Sequence, residues 1–245
     1  MPQKRTYRRL ITGANLRAFQ VVVKETDLMI HALRSLDDFV REKILEYRGY
    51  IEAYITRHPE FGRTLTPWTI EGPAPAIVCD MARAGTAAGV GPMAAVAGAI
   101  AEHVGRAVLE YSDQVIVENG GDIFIKLAAP ATVGIFAGRS PLSLRIGVRI
   151  DSVRRPMAVC TSSGTVGHSL SLGRADAVCS VSDSCALADA AATAIGNHMA
   201  DRRDLARAIE FGKKIDGIKG VVVILGDQMG LWGDIEAVPL KGKKG

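Results

Sequence analysis

Six short apolar runs occupy residues 114–118, 122–127, 131–138, 143–150, 157–163 and 177–182, most of them joined by only a few turn residues. This spacing constrains the fold more than any other feature of the chain. Parallel strands need a crossover of a dozen or more residues, usually a helix, whereas antiparallel neighbours close through a tight turn. Hairpins therefore predominate over regular βα alternation. The expected class is α+β, with mostly antiparallel sheet backed by a few long helices. Residues 18–32 read as a further hairpin turning at Lys24–Asp27, and residues 220–226 as a late strand. Near-helical spacing of Phe39, Ile44, Leu45, Ile51 and Ile55 predicts an amphipathic helix over 35–58. Further helices are expected over 91–112, with Pro92 in the first turn where a missing N–H costs little, and over 184–199 and 201–215. Residues 74–85, APAIVCDMARAG, read as a short buried strand entering a glycine-rich turn.

With 245 residues and 48% hydrophobic content the chain can bury a substantial core, and it is expected to form one domain over 1–245. Its net charge of +4 says little about partners. Six basic residues precede the first acid, Glu25, and three lysines stand in the terminal KGKKG; setting those nine aside leaves 21 basic against 26 acidic residues. Basic, flexible tails at 1–17 and 241–245 on a mildly acidic body are the expectation, without the basic patch of a nucleic-acid binder. Four dispersed cysteines without CxxC spacing argue against a disulfide scaffold or structural zinc and for a reducing compartment. No export signal is visible, and the uncharged stretch 84–101 is mostly alanine broken by glycines and Pro92, so a packed helix is expected there, with no membrane association. A cytoplasmic protein follows.

Three polar islands interrupt this small-apolar background. In the hairpin VENGGDIFIK, 117–126, Asn119-Gly120 would supply the positive φ angles of a two-residue turn, while Gly121 and Asp122 exceed what a turn needs. The island CTSSGTVGHSLSLGRAD, 160–176, gathers Thr161, Ser162 and Ser163 with further hydroxyls around three glycines and His168, a composition suited to phosphate oxygens. On the helix ADAAATAIGN, 188–197, Asp189, Thr193 and Asn197 fall at i, i+4 and i+8 on one stripe among alanines. A carboxylate and a hydroxyl one turn apart suit Mg²⁺ with waters and a phosphate completing the shell. Each island also has an ordinary reading: a plain turn, a solvated loop, a polar helix face.

In this order the islands resemble the ApbE family of flavin transferases, and most closely an uncharacterised cytosolic branch of ApbE-like proteins, with PMAAVAGAIAEHVG, VENGGDI, TSSGTVGHSLSLGRADAV and ADAAATAIGN as the matching motifs over residues 74–200. The resemblance implies a T-fold-related architecture. It also implies that FAD and Mg²⁺ are bound and that the FMN half is transferred to a Thr or Ser hydroxyl of a target protein. On that basis Asn119, Gly120, Gly121 and Asp122, with Thr161, Ser162 and Ser163, would line the site for FAD, FMN or another phosphate-bearing molecule. Asp189 and Thr193 would hold the metal, and His168 would stand where the family has its histidine. One departure is the SLSLGRAD that follows His168 in place of an Asp-Pro…Thr-Gly segment. The same branch also implies a second reading, a role in sulfur assimilation through a reactive or persulfide-carrying cysteine. Cys160, next to the hydroxyl-rich loop, is the candidate, because a thiolate needs exposure and donors. A non-catalytic nucleotide-binding module is the third.

Overall fold

The computed structural model describes residues 15–164 and 173–240. Strands β1 (Arg17–Val23) and β2 (Thr26–Ala32) form the first hairpin, with Lys24 at φ 52° in its turn. Helix α1 (Asp37–Arg57), helix α2 (Ala76–Ala88), a 3₁₀ turn at Pro92–Ala95 and helix α3 (Val96–Val108) follow. Then come β3 (Val115–Asn119), β4 (Asp122–Lys126), β5 (Ala131–Gly134), β6 (Ile146–Ile150), β7 (Met157–Ser162) and β8 (Ala177–Ser182). Helix α4 (Cys185–Asn197), helix α5 (Leu205–Gly212), β9 (Ile218–Leu225), β10 (Gln228–Gly233) and β11 (Glu236–Pro239) complete the described chain.

Eight strands form one sheet in the order β1-β2-β3-β4-β7-β8-β9-β10, and every neighbouring pair in it is antiparallel. Strands β5 and β6 leave this sheet and pair with β11 in a three-stranded sheet. Period-two alternation divides each central strand between two cores. Val115, Val117, Phe124, Ala158, Cys160, Val178, Val221 and Val223 point toward the helices. Ile116, Ile123, Ile125, Val159, Cys179, Val222 and Ile224 point toward the small sheet. The eight-stranded sheet is thus sandwiched between a helical layer and a three-stranded layer, which is the α+β class expected.

The segment expected to be a strand at 74–85 is helix α2. Pro75 sits at its N-cap, and buried Ile77, Val78, Met81, Ala82, Ala84, Gly85 and Ala88 recur at helical spacing. A short apolar run does not separate strand from helix by periodicity, and the alanines decided for helix. The long helix read over 91–112 begins as the 3₁₀ turn. Strands β10 and β11 had no counterpart in the sequence reading, and Arg17, assigned to a tail, opens β1. No single described helix is long and apolar enough to cross a membrane. The α2 and Pro92–Val108 segments pass that test only together, and they are bent by 106° at their junction.

Candidate functional site

The helix-facing side of the large sheet carries an unusual row of polar residues beneath α4. Asp122 on β4 pairs with Cys160 on β7, and Cys160 with Ser180 on β8. All three are buried. Ser180 Oγ donates to the carbonyl of Ala188, tying the sheet to α4. Ser162, two residues beyond Cys160, shares this face by alternation, and its Oγ is buried without a hydrogen-bond partner among the described residues. A buried hydroxyl left unpaired costs about 1–3 kcal/mol unless a ligand or water completes it.

Helices α3 and α4 cap one another. The first N–H groups of a helix have no partner within it and attract carboxylates. Asp189 Oδ2, from α4, accepts the Gly98 N–H of α3 at 2.8 Å, and the Ala97 N–H also bonds to this carboxylate. Glu102 Oε2, from α3, accepts the Cys185 N–H at the start of α4 at 2.7 Å and lies 3.3 Å from Ser184 Oγ. The other oxygen of Glu102 takes Arg106 at 2.7 and 3.0 Å. Gly98 makes the crossing possible, since a Cβ there would run into the Cys185 carbonyl and Asp189 Cβ.

Asp189 is half-buried as a residue, yet its carboxyl is densely surrounded by protein, and that burial pushes it up to about 7 against the two backbone donors that favour its charge. Asp122 is pushed well above the usual carboxylate range by burial first and by the neighbouring Asp189 second. Two carboxyls thus approach each other in a low-dielectric site, and among the described residues no Lys, Arg or His forms an ion pair with either. One shared proton or a divalent cation resolves such a pair. The i, i+4 relation expected of Asp189 and Thr193 is present on α4, and Thr193 is only 9% exposed. Its hydroxyl makes no hydrogen bond among the described residues. Asn119 donates from Nδ2 to the Ala97 carbonyl at 3.0 Å, so it fixes the hairpin to the start of α3.

Other expectations need correction. The turn residues are Gly120 and Gly121, flanked by the pair Asn119 and Asp122, and among these four only Gly120 has a positive φ, 72°. A Cβ on Gly121 would collide with the Thr161 carbonyl, whose own N–H donates to Gly121 O at 3.0 Å. Close approach of β7 therefore accounts for the second glycine. Thr161 pairs with Cys179 and shares its face toward the small sheet, away from Asp122. The three-hydroxyl row is split by strand alternation. Ser163 follows β7 and is half-buried. His168 lies outside the described residues.

The reading of Cys160 as an exposed, activated thiolate is also overturned. Cys160 is fully buried, its Sγ donates to the Cys185 carbonyl at 3.4 Å, and it lies 3.5 Å from Cys185 Sγ. Burial pushes its thiol well up, with Cys185, Asp122 and Asp189 adding to the shift. Burial likewise pushes Cys179 to about 12 and Cys185 to about 11. Cys79 alone among the four retains exposure. The residue that sequence reasoning missed is Glu102. Its signal was there: it is the first charge after the uncharged run 84–101 and lies on the stripe of Gly98 and Gly105 that faces the neighbouring layers.

A cavity of about 750 Å³ lies elsewhere, between residues 68–70 and α2, and shares no residue with the Asp122–Asp189 cluster.

Comparison with known proteins gives a consistent picture. The family model described as AbpE bacteria matches residues 8–234. A UPF0280 protein of Methanococcus aeolicus is 44% identical over 203 residues, covering 81% of this chain and 82% of its own. A UPF0280 protein of Methanocella arvoryzae is 41% identical, with 88% of each chain covered. Among solved structures, a mutant of the flavin transferase ApbE from Vibrio cholerae superposes with a TM-score of 0.55 at 13% identity, covering 90% of this chain and 97% of that one. The apo flavinyl transferase ApbE of Pseudomonas stutzeri gives 0.55 at 14%, covering 89% and 94%. At such identities the likeness establishes the fold.

Proposed function

The chain belongs to the AbpE bacteria family, and from that premise we propose that it binds a flavin nucleotide, FAD or FMN, or a similar phosphate-bearing molecule, together with Mg²⁺ at the Asp189 face of α4. The observation that carries this reading is the buried Ser162 Oγ, without a partner among the described residues, on the sheet face that also presents Asp122 toward Asp189 of α4, two carboxyls with no ion-pair partner among the described residues. The donor set fits the ion. Mg²⁺ favours hard oxygens and is commonly held by one or two carboxylates, with waters and phosphate oxygens filling the rest. Asp189 and Thr193 would hold it, and Asp122 would stand behind them as a second negative charge. Bound there, the ion would neutralise charge on a pyrophosphate and orient it.

The chain's own groups have separable roles in this reading. Asn119 fixes the hairpin against the start of α3 through Ala97. Glu102 fixes the start of α4, and so the direction in which Asp189 and Thr193 point. Ser162 offers a hydroxyl to a phosphate oxygen. Passage of the FMN half of FAD to a Ser or Thr hydroxyl of a protein substrate is the reaction such a site would serve: the hydroxyl oxygen would bond to the FMN phosphorus as it loses its proton, the pyrophosphate bond would break, and AMP would leave.

Native mass spectrometry of the chain with FAD, FMN or ADP, with and without Mg²⁺, tests the proposal. A one-to-one adduct that needs Mg²⁺ and is weakened about ten-fold or more in Thr193→Val is expected, from loss of one inner-shell oxygen. Adducts of equal intensity without Mg²⁺, or none with any of the three nucleotides, would overturn it.

A further inference from the structure

An open groove lies beside α2, and Thr69, Arg83, Thr86 and Ala87 of its lining are exposed. Its volume, about 750 Å³, falls within the range of small-molecule pockets. Cys79, Arg83, Thr86 and Ala87 line it from α2, and their spacing of i, i+4, i+7 and i+8 puts them on one stripe of the helix. Trp68 forms a firm part of the opposite side. Its Nε1 donates to the Tyr54 hydroxyl at 3.3 Å, and its ring stands edge-on to Phe61 at 6.0 Å. The small side chains of the α2 stripe leave an apolar slot against that indole.

The polar groups of the cavity have one sign. Arg83 is the only charged residue lining it among the described residues. The guanidinium is positioned by Asp80, which also takes His103 Nε2 at 2.8 Å, so a relay from α3 steadies it. Arginine has five donors, and most remain for a second partner. Thr69 and Thr86, both exposed in the lining, make no hydrogen bond from their hydroxyls among the described residues and are open to a ligand as they are to water. An indole wall, a small-residue wall and an arginine with spare donors suit one class of ligand.

We infer that this cavity binds a planar aromatic anion, an aromatic carboxylate or sulfonate, with its ring against Trp68 and its acid group at Arg83. Aromatic stacking and a charge-assisted hydrogen bond supply the recognition. The inference is independent of the nucleotide reading, since the two sites share no residue.

Cys79 provides a reporter, because it lines this cavity and the other three cysteines are buried. The test uses the full-length chain and the aromatic sulfonate 8-anilinonaphthalene-1-sulfonate. Probe fluorescence and the rate of Cys79 alkylation by iodoacetamide, read by peptide mass spectrometry, are followed together. Saturable binding that slows Cys79 labelling several-fold is expected. Ala87→Trp, at an exposed position, should fill the slot and abolish both signals at an unchanged melting temperature. Arg83→Gln, also exposed, should weaken binding roughly three- to ten-fold, and the neutral N-phenyl-1-naphthylamine should bind the parent less tightly than the sulfonate. Cys79 labelling unchanged at saturating probe would overturn the site. So would unaltered binding by Ala87→Trp. Equal binding of the neutral compound would overturn the anion assignment. Labelling that falls with protein concentration in the absence of probe would assign the groove to a second copy of the chain instead.

Discussion

Replacing Asp189 with Asn keeps an oxygen for the Gly98 N–H and removes a titrating group from the centre of the site. In the folded chain burial holds this carboxyl up to about 7, against an ordinary value of 3.8. A carboxyl raised in this way stabilises the fold only while it carries its proton. Its contribution is complete below the ordinary value and is lost as pH rises through about 7. A shift of about three units at 1.36 kcal/mol each sets an upper limit of roughly 4 kcal/mol, part of which belongs jointly to the Asp122–Asp189 pair. Urea unfolding of parent and Asp189→Asn across about pH 5 to 8 measures it, because slopes from other groups cancel in the difference. Those groups include His31 and His198, both lowered chiefly by burial. Relative to the variant, the parent should lose up to about 2.7 kcal/mol over that range, because only about two units of the shift lie between pH 5 and the folded value of about 7. Parallel stability curves within about 0.5 kcal/mol would show that Asp189 is not held protonated, and the reasoning from burial would fail.

Other perturbations follow from the same contacts. Glu102→Ala strips the Cys185 N–H and Arg106 of their partner and should cost roughly 2–4 kcal/mol in denaturant unfolding. Gly121→Ala forces a Cβ against the Thr161 carbonyl and should lower stability by about 1–3 kcal/mol, read as a lower melting temperature with or without nucleotide. Of the cysteines, Cys79 should alkylate in the native chain, whereas Cys160, Cys179 and Cys185 should react only after unfolding; native labelling of Cys160 would reinstate a sulfur role.

Much of the fold was legible because it is written in local pattern. The hairpins at 18–32 and 114–127, helix α1 and helix α4 carry their periodicity within a dozen residues or so. Helix α2 was misread where alternation and helical spacing coincide in a short apolar run. Strands β10 and β11 were missed because Gln228–Gly233 and Glu236–Pro239 are largely exposed and lack an apolar face. Within the candidate site, Asp189 and Thr193 were found because a polar stripe among alanines is a one-helix signal. The Asp122–Cys160 pairing, the split of Thr161 from Ser162, and the exchange of caps between Asp189 and Glu102 depend on register and crossing across distant segments. No spacing along the chain encodes them.

The central claim is that the Asp189 face of α4 is a metal-dependent nucleotide site. Calorimetric titration of FAD into the parent chain, in Mg²⁺ and again in EDTA, tests it most directly, with Asp189→Asn measured alongside. The account predicts stoichiometric binding in Mg²⁺, at least about ten-fold weaker binding in EDTA, and the same weakening in Asp189→Asn even when Mg²⁺ is present. FAD binding that is indifferent to both the chelator and the substitution, or no heat of binding in Mg²⁺, would contradict it.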